Sequence, residues 1–91
     1  MSVSITSEPE GDPAGVYQAA IPVTLTCTHN GSSSATYSWT CSGESNCFTN
    51  GLTKSSKRRG VLRGGDTGTH TCTVSDGGVS GTASINITVT G

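Results

Sequence analysis

Aromatic and charged residues are scarce in this sequence. Aromatic side chains make up 4% of its 91 residues, charged residues 12% and hydrophobic residues 31%. A short chain buries a small share of its surface on folding, so this core must be thin. No apolar residues recur at helical spacing, and no apolar run is long enough to span a bilayer. These absences argue against a helical bundle and against a membrane span within the chain.

Residues that favour strands and turns are abundant instead. Thr favours strands, whereas Gly and Ser favour the turns that join them. Between residues 52 and 63 the pattern is weaker and predicts one or two short strands. Many short strands with frequent turns predict an all-β sandwich or barrel. The apolar–polar alternation that predicts strands occurs at residues 3–5, 20–28, 36–41, 69–75 and 83–90.

Four cysteines in so short a chain suggest cross-links. They are Cys27, Cys41, Cys47 and Cys72, and no two of them form a C-x-x-C pair, which argues against a zinc ribbon or a thioredoxin-type site. An oxidising, extracellular setting fits better, and two disulfides would offset the thin core. The spacing alone leaves three pairings open. No signal peptide is present, so residues 1–91 are interpreted as one domain excised from a larger extracellular protein, with any membrane anchor outside it.

The order of the cysteines and the single tryptophan carries a family resemblance. Val23-Thr24-Leu25-Thr26-Cys27 is followed by Trp39 and then by Asp66, Gly68 and Cys72 in D-x-G-x-x-x-C spacing. This series resembles the immunoglobulin superfamily, in particular a constant-like or intermediate domain of a cell-surface receptor or adhesion protein. The resemblance implies a two-sheet antiparallel sandwich with Greek-key topology.

The same resemblance assigns residues to the core. It implies a Cys27–Cys72 disulfide between the sheets, with Trp39 and Leu25 packed beside it. Cys41 and Cys47 are then left to pair, either as a simple staple or to shape a recognition loop with Phe48 as its anchor.

His70 is a departure from the family pattern, because it replaces the tyrosine whose hydroxyl holds the loop before the strand. A buried structural histidine is the main interpretation of His70, and a pH switch or a metal ligand is the alternative.

Catalysis is not predicted. His29 and His70 are the two histidines, and neither lies in a nucleophile motif. No cofactor and no metal site is predicted from the sequence. Asn30 and Asn86 each begin an N-x-[ST] triplet, so both are candidate glycosylation sites of an extracellular glycoprotein.

All five basic residues lie within residues 54–63, although the net charge is −1. Such asymmetry favours an acidic partner, and the extracellular setting disfavours nucleic acid and leaves a sulfated glycan or an acidic protein surface. The alternative is a solvated edge strand that discourages aggregation. The resemblance to the immunoglobulin superfamily implies that one arginine, Arg58 or Arg59, pairs with Asp66. The candidate partner-binding residues are Lys54, Lys57, Arg58, Arg59, Arg63 and Phe48.

The functional expectation is an extracellular module for protein–protein recognition. A receptor such as a receptor tyrosine kinase, or an adhesion molecule, would carry such a domain, and the partner is a protein or a second copy of the chain. Two alternatives remain. One is a structural spacer in a tandem array, and the other is a domain that binds a polyanion or glycosaminoglycan through residues 54–63.

Overall fold

The computed structural model describes residues 1–43, 48 and 52–91. Within these residues the regular structure is almost entirely β, with one short 3-10 turn at Gly64–Asp66. No helix in the described ranges is long and apolar enough to cross a membrane. The strands are β1 (Val3–Glu8), β2 (Val16–Gln18), β3 (Val23–His29), β4 (Thr36–Gly43), β5 (Ser56–Arg59), β6 (Gly68–Asp76) and β7 (Val79–Thr90).

The strands form two sheets. One has the order β1-β3-β5 and the other the order β2-β7-β6-β4. Neighbouring strands are antiparallel except β2, which runs parallel to β7. Buried residues of both sheets make up one hydrophobic cluster, so the two sheets enclose a common core. The predicted fold class, an all-β two-sheet sandwich, is therefore confirmed.

Alternation along the strands builds this core. On β3 the side chains of Val23, Leu25 and Cys27 are buried while the threonines between them are more exposed. On the opposite sheet, Trp39 of β4 lies beside Cys72 of β6 in register, and neither has exposed surface. Every second residue faces inward because successive side chains of a strand point to opposite faces.

Strand β2 was not predicted from the sequence. It has only three residues, and its central residue, Tyr17, is buried with 4% of its surface exposed. The Tyr17 hydroxyl lies 2.7 Å from Oγ of Ser7, at the end of the other sheet. Between residues 52 and 63, where one or two strands were predicted, the structure has the single strand β5, which pairs with β3.

Candidate functional site

Strand β5 divides the basic segment between two faces of its sheet. Its register pairs Leu25 with Lys57 and Thr24 with Arg58. Because Leu25 faces the core, Lys57 also faces inward, and Arg58 faces outward. Among the described residues no strand pairs with the other side of β5, so β5 is an edge strand.

Three of the five basic side chains are exposed, namely those of Lys54, Arg58 and Arg63. Arg59 is engaged within the domain, since its Nε donates to Oδ2 of Asp66 at 3.1 Å. Of the two arginines expected to pair with Asp66, the structure therefore selects Arg59. The backbone N–H of Arg63 donates to the same oxygen at 2.9 Å, which fixes the start of the 3-10 turn.

Lys57 and Phe48 do not lie at the surface, contrary to expectation. Their residues are 2% and 4% exposed. Strand alternation directs the Lys57 stem into the core, where its Nζ lies 4.5 Å from the centroid of the Phe48 ring and 5.0 Å from that of Trp39. An ammonium over aromatic faces is attracted by their quadrupoles, so the rings partly compensate its burial. Neither residue can serve as an exposed contact of a partner.

The Lys57 ammonium makes two polar contacts inside the core. Its Nζ donates to the carbonyl oxygen of Phe48 at 3.2 Å and to Nδ1 of His70 at 2.9 Å. Burial lowers the pKa of Lys57 to about 8, because the charged form loses its hydration, and the nearby charge of Asp66 opposes part of this decrease.

His70 occupies the position of the family's corner tyrosine and is fully buried. Its Nε2 lies 2.9 Å from the backbone oxygen of Asp66, so the ring holds the turn that precedes β6. Its centroid lies 5.0 Å from that of the Phe48 ring. Burial lowers the pKa of His70 and the positive charge of Lys57 lowers it further, whereas the bond to the Asp66 carbonyl raises it. No group of three or more metal-ligating side chains occurs among the described residues.

The core cysteines meet across the sandwich, but they are free thiols in this structure rather than the expected disulfide. Both thiols are buried in the core, and each influences the ionisation of the other. Burial, followed by the interaction with the Cys27 thiol, raises the pKa of Cys72 to about 12. Cys41 is disulfide-bonded, and the predicted partner Cys47 lies outside the described residues.

The two outer faces of the sandwich differ in charge. On the sheet β2-β7-β6-β4 the outward residues of β4, β6 and β7 are uncharged, and nearly all are Ser or Thr. The outer face of β1-β3-β5 carries Glu8 at one edge and Arg58 at the other, and both pair with Thr24 between them. The sequence indicated Arg58 as a candidate binding residue but not Glu8. Only the strand register shows that Glu8, Thr24 and Arg58 lie side by side across the sheet.

Both candidate glycosylation residues are exposed. Asn30 follows β3, and its Oδ1 accepts a hydrogen bond from the backbone of Ser2 at 2.9 Å. Asn86 lies on the outer face of β7, and its Oδ1 accepts from the Thr69 hydroxyl at 2.8 Å. Both side chains are thus placed where an extracellular protein could carry a glycan.

Comparison with known proteins shows similarity in structure only. No family model and no curated protein matches the sequence. A crystal structure of Dscam1 isoform 6.9, comprising its N-terminal four Ig domains, has a TM-score of 0.69 at 22% identity and covers 97% of this chain. The corresponding structure of isoform 6.44 has a TM-score of 0.70 at 21% identity and covers 99% of this chain.

The present chain spans 21% of the length of each of those four-domain chains. At this low identity the likeness shows the fold. It agrees with the Cys27–Trp39–Cys72 series in the sequence and with the arrangement of the two sheets. The chain therefore has the immunoglobulin fold.

Proposed function

We propose that this domain is an extracellular recognition module of a cell-surface receptor or adhesion protein, and that it binds a protein through the outer face of the sheet β1-β3-β5. The observation that carries the proposal is the charge on that face. Glu8 and Arg58 lie on opposite edges of it, and the exposed Lys54 precedes its edge strand. Charged groups of this kind set the specificity and the association rate of an interface.

The opposite face is less suited to a protein partner. Its outward strand residues carry no charge among the residues described, and Asn86 is a glycosylation candidate on it. A glycan on Asn86 would cover the adjacent part of β6 and β7. Recognition is therefore assigned to the face of β1-β3-β5.

A second copy of the chain is the first partner to test. Glu8 and Arg58 are separated by one strand, so their backbones lie roughly 10 Å apart. Among the described residues the one ion pair is Arg59–Asp66, so Glu8 and Arg58 are not paired with each other. A two-fold axis parallel to β3 would bring Glu8 of each copy opposite Arg58 of the other copy. Such an interface is self-complementary, as the symmetry of a homodimer requires.

Sedimentation of the purified domain at increasing concentration tests this assignment. We expect association of the wild type that weakens as NaCl is raised, because exposed charges are screened by salt. Arg58→Glu should abolish it. The control, Thr40→Glu/Thr82→Glu, changes the net charge by the same amount on the opposite sheet and should leave association intact. Equal loss of association in both variants would contradict the assignment to this face. A strictly monomeric wild type would exclude a second copy of the chain as the partner.

A sulfated glycan is the second candidate, supported by the exposure of Lys54, Arg58 and Arg63 near one edge. Heparin affinity distinguishes it from the first. Under this alternative, Lys54→Ser/Arg63→Ser lowers the salt concentration needed for elution, while association through Arg58 persists. If neither heparin nor any protein binds, the remaining alternative is a structural spacer.

A further inference from the structure

Lys57 and His70 form a buried hydrogen-bonded pair whose protonation follows from its partners. Nε2 of His70 faces the backbone oxygen of Asp66, which only accepts, so Nε2 carries a hydrogen. Nδ1 faces the ammonium of Lys57, which only donates, so Nδ1 presents its lone pair. The geometry therefore defines a neutral imidazole in the Nε2–H tautomer beside a charged lysine.

A second proton on this pair is incompatible with its geometry. Protonation of Nδ1 would place two donors, both positively charged, 2.9 Å apart in the core. The contact must then break, because a buried donor without an acceptor and a buried like-charge pair are both costly. Lys57 also donates a hydrogen bond to the carbonyl oxygen of Phe48. Displacement of the lysine would therefore leave that carbonyl without its donor.

The groups around the pair offset only part of the cost of the extra charge. In the 3-10 turn, Oδ2 of Asp66 is engaged by Arg59 and by a backbone N–H. Oδ1 of Asp66 is buried without a hydrogen-bond partner, and the negative charge of Asp66 opposes part of the decrease in the pKa of His70. On β4, Sγ of Cys41 lies 3.6 Å from Nε2 of His70, on the side of the ring away from Lys57. Cys72 of β6 remains a neutral thiol because its pKa is raised to about 12. The remaining neighbours of the ammonium are the aromatic rings of Trp39 and Phe48.

We propose that the Lys57–His70 pair is an acid-sensitive latch: protonation of His70 breaks its bond to Lys57 and detaches Phe48 and the edge strand β5 from the core. The latch goes beyond the proposed function, since it operates whether or not β5 contacts a partner. If β5 does contact one, acidification would loosen the strand that presents Arg58 and weaken binding.

The first test is the protonation state of the wild type. Nitrogen-15 NMR of the His70 ring at pH 7.5 should show Nε2 protonated and Nδ1 bare. On acidification the resonances of Lys57 and Phe48 should shift together with those of the ring. A protonated Nδ1 at pH 7.5, or titration of His70 without any change at Lys57, would overturn the latch.

The second test is local stability. Hydrogen exchange, corrected for intrinsic rates, should show that lowering the pH from 7.5 to 5 reduces protection of the β5 amides at least tenfold more than protection of the β7 amides. His70→Gln retains an acceptor and a donor but does not titrate, and it should remove this difference. His29→Gln, at the other histidine, should retain it. Uniform loss of protection in the wild type, or an unchanged difference in His70→Gln, would contradict the proposal.

Discussion

The buried ammonium of Lys57 predicts an unusual gain in stability at mildly alkaline pH. In the folded domain the pKa of Lys57 is about 8, below the ordinary value of 10.5. Above pH 8 the folded state therefore releases a proton that the unfolded state retains, and the free energy of unfolding must rise with pH. The gain between pH 8 and pH 9 amounts to about 1 kcal/mol.

Urea unfolding monitored by the fluorescence of Trp39, the single tryptophan, measures this gain directly. The midpoint should rise by roughly 0.3–0.6 M urea between the two pH values. The range ends at pH 9 because the unfolded Cys72 thiol, whose ordinary pKa is 9.0, is already half ionised there, while the folded thiol, whose pKa is about 12, is not. That difference works in the opposite direction, and between pH 8 and pH 9 it offsets roughly a third of the gain.

Lys57→Met is the matched variant, since it keeps the length of the side chain and removes the charge. It leaves the Phe48 carbonyl and Nδ1 of His70 without their donor, at a cost of about 1–3 kcal/mol each, while it relieves the burial of the ammonium. The informative quantity is therefore the change of the urea midpoint with pH, not the midpoint at a single pH. The account of a buried charged lysine would be refuted if the wild-type urea midpoint did not rise between pH 8 and pH 9, or if the midpoint of Lys57→Met rose by the same amount.

Three further predictions concern the rest of the framework. Oxidation should join Cys27 to Cys72, remove two hydrogens from the intact mass and stabilise the domain by about 4 kcal/mol over the reduced form, whereas an unchanged urea midpoint would contradict this. Gly68→Ala should lower the melting temperature strongly, because φ is +155° and the new Cβ would collide with a backbone oxygen of β4, while Gly64→Ala, which meets nothing within 4 Å, should have little effect. Asp66→Asn removes a buried charge-assisted hydrogen bond and should cost about 1–3 kcal/mol in denaturant, so an equal midpoint would show that the ion pair contributes nothing.

The fold was accessible from sequence because several independent patterns agreed. The Cys27–Trp39–Cys72 series and the alternation on five of the strands point to the same sandwich. Strand β2 was not accessible, since three residues are too few to show alternation and its pairing with β7 is set by tertiary packing.

The position of Lys57 shows where the reasoning from sequence reached its limit. A run of Lys and Arg is normally solvated, and period-two alternation in four residues fits either face of a strand equally well. One feature of the sequence nevertheless pointed to an unusual polar group in the core. The resemblance to immunoglobulin domains places a tyrosine at position 70, where this sequence has His70. The structure shows that Lys57 donates to this histidine.

The most direct test of the recognition face exchanges its two charges. In sedimentation at low salt, Arg58→Glu alone and Glu8→Arg alone should each abolish self-association, because like charges would then face each other across the two-fold axis. The double variant Glu8→Arg/Arg58→Glu should restore it, since the pairing is rebuilt with reversed sign. Failure of the double variant to associate while the wild type does would contradict an interface built on this row.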